Sequence, residues 1–195
     1  LPSQTLRICL ERVRDSKPLF LSFIGQRYGW VPTDEYLKDS IFDGCRDKIK
    51  GLSATELEIL EALNGIIFNS EKKETLFYLR DPSYLDEIES KKVKAKYLDD
   101  NDSSKESISK LYNKLKEENN GKIYKAEFDN KKSHLTNFSV NGESLEDVIY
   151  NDLINKIDSL YPNEQAEERY SGQLLNEAHY YNALHCVDLI DVDDL

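Results

Sequence analysis

The chain has 195 residues, 39% of them apolar, which is enough for one domain with an ordinary core and a short appendage. Its formal charge is −11, from 37 acidic against 26 basic residues, and this argues against nonspecific binding to nucleic acid or to an anionic membrane, both of which need a basic footprint. The three cysteines, Cys9, Cys45 and Cys186, show no CxxC spacing and are odd in number, so they read as reduced thiols of a cytoplasmic protein rather than a disulfide framework.

"SQTLRICLERVRDSK" opens with Ser3 as a candidate N-cap and places Leu6, Leu10 and Val13 on one stripe, the pattern of an amphipathic helix. "LFLSFIG" follows Pro18 as a continuous apolar run ended by Gly25, which suits a strand covered on both faces of a parallel sheet. Residues from Thr33 to Gly51 read as a polar, irregular insertion with a short helix at "DEYLKDSIF". "LSATELEILEALNG" is a second helix, capped by Ser53 or Thr55, with glutamates in its first turn and a stop at Asn64-Gly65. "TLFYLRDP" is a second strand.

From Ser83 to Ser104 the chain is charged and lysine-rich and reads as a solvated excursion, the run Lys91 to Lys96 included. "SKESISKLYNKLKEENNG" is a third helix and "KIYKAEF" a third strand. "SLEDVIYNDLINKIDSLYP" is a fourth helix with Leu145, Val148, Ile149, Leu153, Ile157 and Leu160 on its inner face. This alternation of helix and strand predicts βαβ units around a parallel sheet. Beyond Pro162 the chain carries eight acidic residues and one arginine, Arg169, and reads as an acidic helical linker over 162–195. No run approaches the ~18 apolar residues of a membrane helix, and no signal peptide is legible. The start at Leu1 rather than Met reads as a fragment of something longer.

In open parallel sheets, ligands bind beyond the carboxyl ends of the strands. Three segments are expected to meet there: Gly25 to Trp30 after the first strand, Arg80-Asp81 after the second, and the helix start from Ser53 to Glu58. That helix start would add backbone N–H groups suited to an anion or a hydroxyl. Two readings stay open for these residues. Arg27 and Arg80 are ligand clamps, or they are salt-bridge partners of Glu56, Glu58 or Asp81. Tyr28 and Trp30 face a ligand, or they pin a loop corner with buried rings and bonded polar tips. Other chemistries are absent from the sequence: it has no GxxxxGK[ST] and no GxGxxG. His134, His179 and His185 lack zinc spacing, and the terminal aspartates lack the glycine of an EF-hand loop.

"LRICLERVRDSKPLFLSFIGQRYGWVP", "LSATELEILEAL" and "TLFYLRDPSYL" together resemble the TIR-like domain of unknown function near the N-terminus of certain large signalling ATPases. In that family a NACHT-type, STAND-class ATPase is followed by WD or TPR repeats, as in telomerase-associated vault proteins and nephrocystin-type proteins. The pattern I-G-x-R-Y-G-W-x-P, S-x-T-E-x-E, F-Y-x-R-D-P is matched in order by Ile24 to Pro32, Ser53 to Glu58 and Phe77 to Pro82. Family members carry a further strand and helix before this point, so the resemblance implies that the first strand of the sheet lies outside this chain.

The resemblance also implies two functions. As a non-catalytic TIR-like domain, the chain would be a signalling or assembly module working through protein partners or self-association. As a relative of NAD-cleaving TIR domains and nucleoside deoxyribosyltransferases, it would cleave NAD or another nucleotide with a helix-start glutamate. Thr55, Glu58 and Ala62 match the spacing of the transferase pattern, which makes Glu58 the first catalytic candidate and Glu56 the second. Arg27 would engage phosphates and Tyr28 or Trp30 would stack a base, with Ser53, Thr55, Arg80 and Asp81 completing the ligand set. The expectation is a three-layer α/β sandwich with a mostly parallel, TIR-like or flavodoxin-like sheet over 1–161. The assembly function comes first, the nucleotide-cleaving one second, and a scaffold in a ribonucleoprotein third, with no direct nucleic-acid or membrane contact.

Overall fold

The structure is a computed structural model and describes residues 2–162. The chain divides into two compact units, Leu1–Ile149 and Tyr150–Leu195.

In the first unit, α1 (Pro2–Asp15) buries Leu6, Leu10 and Val13, as their spacing predicts. It includes two residues before the expected first residue Gln4, so Ser3 falls inside the first turn, where a proline such as Pro2 is well tolerated because its missing N–H would be unpaired anyway. The sheet has the order β1-β2-β3-β4-β5. Its first three strands, β1 (Leu19–Ile24), β2 (Glu74–Arg80) and β3 (Lys122–Asp129), run parallel, with Phe23 beside Tyr78 and Arg80 beside Tyr124. β4 (His134–Val140) and β5 (Glu143–Ser144) add an antiparallel edge that the helix–strand alternation does not predict. The reason is local. The β4 residues are largely polar and half-exposed, so their hydrophobic alternation is weak, yet Asn141 and Gly142 both adopt positive φ (52° and 92°), the geometry of a tight hairpin turn.

One sheet face is covered by α3 (Ala54–Asn64) and α6 (Asp102–Glu118). Ile24, Phe77 and Leu79 pack there against Ile59 and Leu63 of α3 and Ile108, Leu111 and Leu115 of α6. On the other face Tyr78 and Tyr124 pack with Val140 and with Leu145 and Val148, which open α7 (Leu145–Leu160). The result is an α/β sheet flanked by helices, as a three-layer sandwich requires. A further cluster joins Leu6 and Leu10 to Leu57 and to Leu37, Phe42 and Ile49. The 33–51 insertion is therefore more ordered than its polarity suggests. It folds as two 3-10 turns (Tyr36–Lys38 and Ser40–Phe42) and the short α2 (Arg46–Ile49).

The 83–104 excursion is also corrected. It forms α4 (Tyr84–Glu87) and α5 (Lys91–Lys94) and buries Tyr84, Leu85 and Ile88 against Phe128. Edge-to-face contacts link Tyr84 to Tyr97 at 5.5 Å and Tyr97 to Phe128 at 5.9 Å, so scattered aromatics anchor a segment whose lysines stay outside. On α7, Leu145 and Val148 are buried as expected, but Ile157 is exposed, so the predicted inner face does not run the length of the helix. The acidic stretch from residue 163 onward, with Cys186, lies outside the described residues.

Candidate functional site at the carboxyl ends of the parallel strands

Three segments meet beyond Ile24 and Arg80. Gln26 ties the first two together: its Nε2 donates to the Arg80 carbonyl at 2.6 Å and its Oε1 accepts from the Tyr84 hydroxyl at 2.7 Å. The third is fastened by the Ala54 N–H, which donates to the Trp30 carbonyl at 2.9 Å, so the loop after β1 runs into the N-terminus of α3. Ser53 caps that helix, its hydroxyl accepting from the Glu56 N–H at 3.2 Å. Gly29 passes close to Thr55 with φ +89°, and a Cβ there would stand 3.7 Å from the Thr55 hydroxyl in a conformation side chains rarely adopt.

Tyr28 is buried at the centre of this corner. Its hydroxyl donates to Glu56, its backbone N–H donates to Asp99 at 2.6 Å, and burial, then the Glu56 hydrogen bond, pushes its phenol up to about 12. Arg27 pairs with the same Asp99 carboxylate, Nε to Oδ1 at 3.6 Å, while its Nη1 donates to the Lys96 carbonyl at 3.4 Å. Trp30 lies edge-on to Tyr36 at 5.0 Å and remains 46% exposed. Arg80 lies against Gly25, where a Cβ would come within 3.4 Å of its guanidinium; its Nε donates to the Tyr124 hydroxyl at 3.0 Å, and it covers the rings of Tyr84 and Tyr124. Asp81 closes the turn after β2: its carboxylate accepts from the Ser83 N–H at 2.9 Å, hydrogen bonding from the Ser83 side chain and then from its backbone holds its pKa below the usual range, and its own N–H donates to the Tyr124 carbonyl at 2.7 Å.

Glu58 lies two residues beyond Glu56 on α3, about half a turn round the helix, and is hydrogen-bonded to the Cys9 thiol of α1. Burial raises its carboxyl above the ordinary value, and the Cys9 bond acts against that rise. The structure thus joins Tyr28 to Glu56, Arg27 to Asp99, Arg80 to Tyr124 and Glu58 to Cys9. The arginine–glutamate pairs that sequence proximity suggests are not among these contacts. Beside the corner, a crevice of ≈ 310 Å³ opens between Gly25, Pro82, Leu85 and Leu98 and the α6 residues Ile108 and Tyr112. It is mostly apolar, and Arg27, Glu56, Glu58 and Arg80 are not in its lining. Sequence reasoning missed Gln26, Asp99, Tyr84 and Tyr124 as members of the site. Only Gln26 carried a signal, by lying inside the loop motif.

An aromatic row crosses the sheet below. Phe23 stacks on Tyr78 at 5.4 Å and meets Tyr124 at 6.2 Å, and Tyr124 meets Phe138 at 6.3 Å. Both ends of the row face solvent, Phe23 at 48% and Phe138 at 41% exposure. Among the described residues no three His, Cys, Asp or Glu side chains form a group that could hold a metal ion, and no helix is long and apolar enough to cross a membrane.

Residues 2–139 match the family described as "Domain of unknown function (DUF4062)". The chain is 32% identical over 87 residues to telomerase protein component 1 of Mus musculus, covering 44% of this chain and 3% of that protein. It is 28% identical over 177 residues to a TPR repeat-containing protein of Dictyostelium discoideum, covering 85% of this chain and 10% of that protein. The chain therefore spans a small fraction of the relatives it matches. No solved structure matches it. With a family match over 2–139 and the three motifs gathered at one end of the sheet, the chain belongs to the DUF4062 family of domains.

Proposed function

We propose that this domain is a protein-interaction module of a larger multidomain cytoplasmic protein, a TIR-like unit placed ahead of a STAND-type ATPase, and that it works by contact, first of all with copies of itself. The observation that carries the reading is how the site divides its groups. The polar groups of the motif bond to one another, Tyr28 to Glu56, Gln26 to Arg80 and Tyr84, Arg27 to Asp99, while large aromatic surfaces at Phe23 and Trp30 are left to solvent. Exposed aromatics beside a rigid, self-bonded loop suit a docking surface, because rigid rings lose little entropy on contact. The printed names of the relatives, a telomerase component and a TPR repeat-containing protein, accord with work inside assemblies. Nucleotide cleavage by Glu58 is the second reading; Glu58 is hydrogen-bonded to Cys9.

Light scattering after size exclusion tests this across a concentration series. The wild type should gain mass with concentration, and Phe23→Ser together with Trp30→Ala should hold it at the monomer. A wild type that stays monomeric throughout, or a variant that associates equally, would overturn the reading of self-association through this surface.

A further inference from the structure

The apolar crevice beside the corner is a place that the reading above does not use. It lies beyond the carboxyl ends of β1 and β2, where open parallel sheets hold ligands, and Arg27, Tyr28, Trp30 and Glu58 are not in its lining. It is the seam between two hydrophobic clusters that do not merge. Ile108, with Tyr112 packed beside it, belongs to the cluster under α3 and α6. Leu85, with Leu98 packed beside it, belongs to the cluster around Tyr84 and Phe128. The gap between them measures ≈ 310 Å³. Protein interiors leave few voids larger than a water molecule, and ligand pockets begin at about 300 Å³, so the seam has room for one small molecule. Its walls are fixed on both sides. Gln26 ties the β1 loop to Arg80 and Tyr84. Opposite it, Lys105, Ile108, Ser109 and Tyr112 stand at i, i+3, i+4 and i+7 of α6, a stripe about 10 Å long.

The lining selects the kind of molecule. Among the described residues Lys105 is the one charged member of the lining, and Asp102 meets that charge, Nζ to Oδ1 at 3.0 Å. Both ends of the Gln26 amide are committed, to the Arg80 carbonyl and the Tyr84 hydroxyl. Burial, and then the Asp81 carboxylate, raises the Tyr112 phenol, so its hydroxyl keeps its proton. A charged ligand would leave water for an apolar wall whose one charge is already matched, and Asp81 would repel an anion as well. A neutral ligand gives up the hydration of one polar group, which the neutral Ser109 and Tyr112 hydroxyls are suited to replace. We propose that this crevice binds a small, neutral, largely apolar molecule, an aromatic ring or short hydrocarbon chain that carries a single hydroxyl or carbonyl group. The proposal goes beyond self-association through Phe23 and Trp30 and holds whether or not that occurs.

Amide-resolved NMR of the full chain, titrated with three probes of one length, tests it. The probes are phenylbutanol, phenylbutyrate and phenylbutylamine, which share a ring and chain and end in a hydroxyl, a carboxylate and an ammonium. The alcohol should shift the amides of Gly25, Leu85, Leu98 and Ile108 to saturation. The two ions should bind at least about fivefold more weakly, because each must shed its hydration against an apolar wall. Ser109→Trp sets a ring into the seam from an exposed position of α6. It should weaken the alcohol by about tenfold or more, as a filled cavity does, and leave the amides away from the crevice as in the wild type. Crevice amides that stay in place at saturating alcohol, or an affinity untouched by Ser109→Trp, would overturn the site. Equal or tighter binding of either ion at those amides would overturn the neutral ligand. Shifts of the same amides on dilution, with no probe added, would give the crevice to a second copy of the chain and overturn the proposal as well.

Discussion

Tyr28 holds the corner by two bonds of different kinds. Its hydroxyl reaches the Glu56 carboxylate and its backbone N–H reaches Asp99, whereas the neighbouring Arg27–Asp99 pair, at 3.6 Å, joins a guanidinium 57% exposed to a carboxylate only 9% exposed. A long ion pair with its cation in solvent contributes under about 1 kcal/mol, and a hydrogen bond to a carboxylate about 1.5–3 kcal/mol, so the tyrosine outranks the arginine as a structural anchor. Tyr28→Phe should therefore lower unfolding free energy by about 1–2 kcal/mol in urea titration, and Arg27→Ala by less than about 1 kcal/mol. Glu58 makes a prediction in pH. Burial raises its carboxyl above the ordinary 4.5, so the folded chain keeps that proton to higher pH than the unfolded chain does. The stability it contributes is present below about 4.5 and is lost as pH climbs through the raised value. Glu58→Gln should remove that falling slope, read as urea midpoints of variant and wild type compared from about pH 4 to 7. The loop residues were legible because they form one contiguous motif. Asp99 was not, because its role arises only when a partner 71 positions away in sequence folds onto it.

α3 shows how firmly the ends of an element can be written locally. Ser53 caps it, and Gly65 ends it at φ +58° with its N–H donating to the Glu61 carbonyl at 2.8 Å. A Cβ at Gly65 would come 2.0 Å from the Ser70 carbonyl oxygen, so Gly65→Ala meets a clash with backbone as well as a strained φ. It should cost more than about 2 kcal/mol in the same titration, against about 1 kcal/mol for Ser53→Ala. Both caps were readable from the sequence, as were the three parallel strands: β1 and β2 are near-continuous apolar runs, and β3 alternates apolar with charged residues. β4 was not readable, since a hairpin edge with a polar, half-exposed surface lacks the alternation that marks a strand. The 83–104 segment was misjudged for a related reason: its lysines dominate its composition, while Tyr84, Leu85 and Ile88 reach their partners across the chain.

At the scale of the molecule, the alternating order of helices and strands was enough to place the motif loops at one end of a parallel sheet. The apolar crevice beside them was not legible, because Ile108 and Tyr112 come from the third helix and enter only through its packing on the sheet. The same packing separates the candidate groups: Glu58 turns toward Cys9 of α1, Arg80 toward Tyr124, and Arg27 toward Asp99. A domain arranged this way acts by contact in our account, and its helix-start glutamate is structural. NAD consumption by the chain, followed beside Glu58→Ala, tests that most directly. The account predicts NAD levels that match the buffer control for both proteins, under conditions where the wild type self-associates. Turnover by the wild type that disappears in Glu58→Ala, with the fold intact by circular dichroism, would contradict it and make Glu58 a catalytic residue.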